Sequence, residues 1–329
     1  MKPRIAIIGA GISGLTLAKH LSHGAQVVVF EKARGVGGRM STRNAAPFSF
    51  DHGAQFFTAR SDAFKQFLAP YLASGRVQEW TGKMMTLEPG KKPTDRVWFE
   101  PHYVAVPTMN SLCKALVDPI TVTLNCDIVP IQNKTKHGWQ LLDKNNHAYG
   151  PFDWVISTAP APQTCVLFEN IVPPSVFSAY NYRACYALML GFQSPWDQSW
   201  IAAKIINSPL DWIAVNSSKP HRDKTVTSLV IHTSHLWTES HLNEDRAEIE
   251  LFLRNELKTR LNLNRGDPRY SALHFWRYAL MNQTPEERNQ APYFLDQERQ
   301  LASVGDWCHR SRIEDTWLNA KELAIKMLL

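Results

Sequence analysis

The chain opens on an uninterrupted apolar run, Ile5-Ala6-Ile7-Ile8, of the length of a buried strand. Gly9-Ala10-Gly11-Ile12-Ser13-Gly14 follows at once, and then Leu15, Leu17, Ala18 and Leu21 recur at helical spacing. The pattern predicts strand, tight glycine turn, helix. A second apolar run, Val27 to Phe30, predicts another strand and ends in Glu31. Further on, Ile120 to Leu124 alternates apolar with polar positions, Ile128-Val129-Pro130-Ile131 reads as a strand, and Trp139 to Leu142 follows a His137-Gly138 turn. Trp154 to Thr158 is a strand closed by Ala159-Pro160-Ala161-Pro162, a turn whose prolines cannot join a ladder and which reads as the exit from a first domain. Between residues 166 and 296, stretches such as Cys185 to Phe192 and Thr225 to Ile231 predict an antiparallel sheet. Glu244 to Leu261, with Ile249, Phe252, Leu253, Leu257 and Leu261 near one face, predicts an amphipathic helix used for packing.

The first sixty residues also carry chemistry. In a G-x-G-x-x-G turn between strand and helix, Gly9 makes the turn, Gly11 lets a pyrophosphate approach the backbone, and Gly14 lets the helix pack on the strand. Amides at the helix start, from Ile12 and Ser13, face the phosphates. Glu31 lies about twenty residues beyond Gly11, where its carboxylate can accept from a ribose hydroxyl pair. This fingerprint leaves NAD and FAD equally open.

Composition narrows the class. At 329 residues with 44% hydrophobic content the chain can fill two packed domains. The net charge of +6 is dispersed, without the basic runs of a nucleic-acid arm, and no nucleic-acid partner is expected. Five cysteines without metal-like spacing suggest neither a disulfide framework nor a metal site. A start that runs from Met1 and Lys2 straight into a strand, and the lack of any eighteen-residue apolar stretch, point to the cytoplasm and away from the membrane.

The segment Lys32-Ala33-Arg34-Gly35-Val36-Gly37-Gly38-Arg39-Met40-Ser41-Thr42-Arg43 resembles the Gly-Gly-Arg loop of amine oxidase-type flavoenzymes, which lies along the FAD pyrophosphate. Together with Phe50-Asp51-His52-Gly53-Ala54-Gln55-Phe56-Phe57, His274-Phe275-Trp276-Arg277-Tyr278-Ala279 and Gly305-Asp306-Trp307, it is similar to the renalase family, more narrowly its bacterial members. The segments around Pro209 to Ala214, Asn216 to Pro220 and Leu229 to His232 extend the resemblance over most of the chain.

The resemblance implies an α/β, Rossmann-type FAD-binding domain and an α+β substrate domain with a mixed or antiparallel sheet, as in p-hydroxybenzoate hydroxylase and amine oxidase folds. The first is expected from residues 1–68, 107–165 and 297–329, the second from 69–106 and 166–296. It further implies non-covalent FAD and oxidation of 2- and 6-dihydro-NAD(P) to NAD(P)⁺, with O2 reoxidising the flavin to give H2O2. Expected FAD contacts are Lys32, Gly38, Arg39, Met40, Ala54, Gln55, Phe56, Val129 at the adenine, Thr158, Asp306 and Trp317, besides Gly9, Gly11, Ile12, Ser13, Gly14 and Glu31.

Hydride transfer to a flavin asks the protein for orientation and for exclusion of competing reactions. The catalytic candidates are therefore Trp276, Tyr278, His274 and Arg277, aromatic walls and a cation for a nicotinamide nucleotide. On a strand, His274, Trp276 and Tyr278 share one face and Arg277 points to the other. Trp276 and Tyr278 either face the flavin or pack between domains, and His274 serves either function or a core hydrogen bond.

The family's C-terminal glycine pattern is altered here, with Arg310, Ser311, Asp315 and Ala320 at glycine positions while Arg312, Glu314 and Trp317 match. Changed substrate or oxygen reactivity is the expectation. The rival readings are an amine oxidase or desaturase-type enzyme acting on an amine or related small molecule, and a non-catalytic FAD- or nucleotide-binding protein. Either a monomer or a homodimer suits the sequence.

Overall fold

The computed structural model describes residues 1–132, 134–260, 262–282, 292–308 and 311–328. Its first sheet has six strands in the order Phe294–Asp296, Leu301–Ser303, Trp154–Ser157, Arg4–Ile8, Gln26–Phe30, Thr121–Thr123. All neighbours run parallel except the antiparallel edge pair of Phe294–Asp296 with Leu301–Ser303. The central strands Arg4–Ile8 and Gln26–Phe30 are near-continuous runs of Ile, Val and Ala, as in a parallel sheet covered by helices. The helix Ile12–Leu21 is the crossover between the first two strands, and it packs against Ser111–Val117 and Ile313–Leu328.

The second sheet has seven strands in the order Tyr270–Met281, Tyr182–Phe192, Thr227–Thr233, Leu210–Val215, Trp200–Ile205, Lys83–Leu87, Thr94–Arg96. It is antiparallel apart from the parallel pair Trp200–Ile205 with Lys83–Leu87, so the chain carries a mixed second sheet beside a Rossmann-like one. Among the described residues no helix is long and apolar enough to cross a membrane.

Two local expectations are corrected and one is extended. Ile128 to Ile131 forms only an isolated bridge, Ile128 with Asp143. Pro130 has no N–H, while Val129 N donates to Leu142 O and Ile131 N to Leu167 O, on two different partners. The Pro160-Ala161-Pro162 turn starts the helix Ala161–Leu167, where a proline in the first turn costs no hydrogen bond. The 244–261 pattern yields the helix Arg246–Asn255, capped by Asp245, whose side chain accepts from Ala247 N and Glu248 N, and then a wider turn over Glu256–Arg260. Ile249, Leu253 and Leu257 are buried, Phe252 is 40% exposed, and Leu261 lies outside the described residues.

Candidate functional site

The site begins at the carboxyl end of Arg4–Ile8. Gly9 turns with φ +109°, and its N–H donates to Phe30 O at 2.8 Å. A Cβ on Gly14 would stand 2.0 Å from Gly9 O, so helix and turn touch through that missing carbon. A Cβ on Gly11 would meet nothing within 4 Å. The two glycines are thus kept for opposite reasons, contact with protein at Gly14 and open space at Gly11. The Thr158 hydroxyl braces the turn, lying 3.1 Å from Ile8 O and 3.0 Å from Gly9 O. Ile12 and Ser13 are buried, and Ser13 Oγ points back to Val304 O at 3.4 Å. Glu31 is fixed at both oxygens, accepting from Ala10 N and Ala33 N at 2.8 Å each. Each oxygen keeps a lone pair for a further donor.

The following loop folds onto this turn. Gly37 N donates to Ala10 O at 2.9 Å, and a Cβ on Gly38 would lie 3.5 Å from Gly11 Cα. Lys32 and Gly38 are exposed. Ala54 N donates to Arg39 O at 2.8 Å, and a Cβ on Gly53 would stand 2.0 Å from the same oxygen. Gly53, absent from the predicted site, is what seats the 51–57 turn on the Gly-Gly-Arg loop.

Several side chains expected at the cofactor have partners within the protein. Arg39 Nη1 donates to Asp306 Oδ2 at 2.5 Å and to Tyr278 O at 3.1 Å, while Tyr182 OH donates to Asp306 Oδ1 at 2.9 Å. Burial works against the Arg39 charge, but Asp306 outweighs it and holds the guanidinium's pKa above its usual value. Arg39 and Asp306 therefore bind each other before either meets a ligand. Met40 is a core side chain, its sulfur 3.9 Å from Cys113 Sγ. Val129 has spent its N–H on Leu142 O, which leaves only its carbonyl for an adenine. Trp317 is buried against Phe64 and Phe67, with ring centroids 5.5 and 4.8 Å away.

Gln55 also turns inward. Its Nε2 donates to Asp51 O and Gly53 O, and its Oε1 lies 3.5 Å from Lys219 Nζ, so the amide is committed to protein. Asp51 Oδ1 accepts from Thr42 Oγ1 and Met109 N, and Oδ2 accepts from Lys219 Nζ and Arg222 Nη2. Phe56 joins an aromatic cluster with His102, Trp98 and Trp212.

The strand Tyr270–Met281 forms the edge of the second sheet. His274 and Trp276 share a face, with ring centroids 4.3 Å apart, and Tyr278 meets Tyr182 at 5.4 Å. Arg277 is exposed and lies over the ring of Phe275 on the opposite face, as the alternation predicts. Two histidines missed by sequence reasoning complete this wall. The rings of His52 and Trp276 stack at 5.2 Å, and His274 stands edge-on to His52 at 4.8 Å. Trp276 Nε1 donates to His52 O at 3.0 Å, and His232 Nε2 lies 3.0 Å from the same carbonyl. His52 Nδ1 faces Phe50 O and its Nε2 faces Ser41 Oγ, which suits a neutral ring. Burial pushes His52 and His274 down to about 4. The signal for these partners is a histidine inside an apolar strand or turn, as in Leu229-Val230-Ile231-His232; their meeting depends on contacts across 180 residues of sequence or more.

At the C-terminus Ser311 Oγ accepts from Met281 N at 3.1 Å, so the side chain at one former glycine position pins the end of the edge strand. Ala320 is buried inside the helix Ile313–Leu328, where alanine forms helix better than glycine. Asp315 lies in that helix's first turn, beyond the N-cap. Glu314 accepts from Arg60 N and Ser61 N, tying this helix to the start of Asp62–Ala73. Arg310 lies outside the described residues.

Comparison with known proteins agrees with this architecture. The family model for an NAD(P)-binding Rossmann-like domain matches residues 7–71. A lysine-specific histone demethylase 1B homolog from Caenorhabditis elegans is 50% identical over 56 residues, 17% of this chain and 7% of that protein. A 4,4'-diapophytoene desaturase from Staphylococcus aureus is 47% identical over 51 residues, 15% of this chain and 10% of the relative. The matches thus span a small part of the length of these curated relatives. A protein of Exiguobacterium sp. 255-15 provisionally assigned as a protoporphyrinogen oxidase superposes with a TM-score of 0.81 at 12% identity, covering 99% of both chains. A putrescine oxidase redesigned in cofactor binding superposes at 0.72 and 11% identity, covering 99% of this chain and 98% of its own. At such identities the likeness establishes the fold: the chain has a Rossmann-like dinucleotide-binding α/β architecture shared with these two oxidases.

Proposed function

We propose that the protein is an FAD-dependent oxidoreductase that oxidises dihydronicotinamide nucleotides, the 2- and 6-dihydro forms of NAD(P), in the manner of renalases. The observation that carries the cofactor is the turn at Gly11, where a Cβ would meet open space at a helix N-terminus while Gly14 beside it is closed by protein. That cradle fits a pyrophosphate. Ile12 and Ser13 would offer amides, Gly38 and Arg39 the facing loop, and Glu31 a carboxylate for a ribose. Asp306 would accept from a ribityl hydroxyl beside Arg39. On this reading residues 1–68, 107–165 and 297–329 form the FAD domain, with the strand Phe294–Asp296 added to it, and 69–106 and 166–293 form the substrate domain.

Bound FAD supplies a hydride acceptor that O2 can reoxidise. The residues supply a flat wall and a charge balance. Trp276 is locked by its indole hydrogen bond to His52 O, and His52 stacks on it, so a planar donor meets a surface that does not rotate. His52 and His274 are uncharged at neutral pH, so the wall does not repel a ring that becomes cationic as hydride leaves it. Tyr278 and Tyr182 close the end of the wall next to Asp306.

A second reading, an amine oxidase or desaturase-type activity, is favoured by the superposition on putrescine oxidase and by the 51-residue likeness to a desaturase. Anaerobic mixing separates the two. The flavin absorbance should bleach with 2- or 6-dihydro-NAD and stay unchanged with putrescine. Bleaching by the amine alone would overturn the proposal, and tight FAD binding without bleaching by any donor would favour a non-catalytic protein.

A further inference from the structure

One carboxylate faces two cations beneath the Gly53–Gln55 turn. Asp51 Oδ2 accepts from Lys219 Nζ at 3.0 Å and from Arg222 Nη2 at 2.9 Å, and the three side chains are 0%, 0% and 3% exposed. The remaining neighbours are neutral: Thr42 Oγ1, Met109 N, the Gln55 amide, and the Trp80 ring 5.3 Å from Lys219 Nζ. His232 is held neutral by burial and by the charge of Lys219, against the opposing pull of Asp211. Burial lowers Lys219 itself to about 8, so the cluster keeps its net charge at neutral pH and below. Arg222 Nε and Nη1 meet no acceptor among the described residues, so hydrogen bonding does not disperse the excess charge.

An unbalanced charge in a dry interior is costly, and one cation would have sufficed to pair Asp51. The cluster also touches the site. Asp51 O and Gly53 O hold Gln55, Gly53 and Ala54 rest on Arg39 O, and the Arg39 loop lies against the Gly11 turn. We infer that the Asp51–Lys219–Arg222 cluster places a net positive charge behind the 51–57 turn, and that this charge stabilises the bound flavin in its reduced, anionic form. The inference rests on the FAD reading above. When hydride leaves the donor, its C–H bond breaks, an N–H bond forms on the flavin ring, the donor departs as a cation and the ring keeps one negative charge. A fixed positive charge nearby lowers the energy of that state without touching the reacting atoms.

Sulfite, which adds to an oxidised flavin and makes it anionic, probes this directly in the purified holoprotein. Lys219→Met should weaken sulfite affinity by about tenfold, a difference of about 1.4 kcal/mol. Arg222→Gln should shift it the same way, whereas Lys219→Arg, which keeps the charge, should leave it within about twofold of the parent. The flavin's reduction potential should move in step, down for the first two and unchanged for the third. Weakening by Lys219→Met against retention by Lys219→Arg is the mark of charge, because a disturbance of packing would move both variants one way. Equal weakening by both Lys219 variants, or no shift with FAD still bound, overturns the inference and leaves the proposed function standing; a wild-type chain that takes up no FAD overturns both.

Discussion

Gly11 and Gly14 stand three positions apart and fail differently when given a side chain. A methyl group on Gly14 meets Gly9 O at 2.0 Å and Thr158 Oγ1 at 2.8 Å, so Gly14→Ala must displace backbone. The expected cost is about 3 kcal/mol of apoprotein stability, the upper end for overpacking. A methyl on Gly11 meets no protein atom, so Gly11→Ala should leave the apoprotein melting temperature unchanged and weaken FAD binding. Thermal unfolding with and without FAD separates the two effects, and equal destabilisation of both apoproteins would refute the division. The histidines give a residue-scale prediction in pH. His52 titrates at about 4 when folded against an ordinary value of 6.5, so the unfolded chain binds more protons between those values. Its contribution to stability is full above pH 6.5, declines as pH falls, and is gone below about 4, with a slope of at most about 1.4 kcal/mol per pH unit. His274 adds in the same direction, lessened by its partial exposure. Urea unfolding across this window should show stability falling with acid, and His52→Asn should flatten the curve.

At the scale of one element, the strand Tyr270–Met281 shows what a local pattern can reveal. Period-two alternation places His274, Trp276 and Tyr278 on one face and Arg277 on the other, and the ring contacts follow that division. Alternation cannot say which face looks at a cofactor or who waits across the gap. His52 and His232 are invisible to it because they arrive from a turn and from another strand. The short strand expected at Ile128 to Ile131 failed for a related reason: its apolar side chains are real core, yet its N–H groups have acceptors on separate segments. The two faces should differ under mutation. Arg277→Ala, which removes an exposed guanidinium above Phe275, should leave anaerobic flavin reduction within about twofold of the parent, as for most surface changes. Trp276→Phe, which removes the hydrogen bond to His52 O, should slow reduction at least about tenfold with FAD retained, as expected when a positioning contact is lost. Stopped-flow reduction of the two variants decides it, and a slower Arg277 variant beside an unaffected Trp276 variant would reverse the assigned faces.

Across the whole molecule, the legible part was the local part. The strand, glycine turn, helix and acidic residue of the first sheet follow one another within about thirty residues, and each has a signature of its own. The second sheet was readable as a class, while its one parallel pair, Trp200–Ile205 with Lys83–Leu87, joins segments more than a hundred residues apart. What couples the sheets was not readable, because Arg39, Asp306, Tyr278 and Tyr182 come from four places in the chain. Arg39 leaves the dinucleotide loop, pairs with Asp306 just after Leu301–Ser303, and reaches the backbone of Tyr278 on the edge of the second sheet. Tyr182, from the neighbouring strand, closes the ring onto Asp306. If this ring fastens one sheet to the other, its loss should be felt in both. Asp306→Asn leaves the Arg39 cation without its anion in a partly buried setting. The cost should approach, without reaching, the roughly 3–5 kcal/mol of a fully buried broken pair, because the Arg39 side chain is 31% exposed. Arg39→Met with Asp306→Leu removes both charges together and should recover part of that loss, since no unpaired ion remains. FAD affinity should not recover with it, because the loop has lost its guanidinium. A double variant that regains stability but not FAD binding would show that Arg39 and Asp306 serve the fold and the cofactor at once, whereas recovery of both would leave the pair a structural clasp alone.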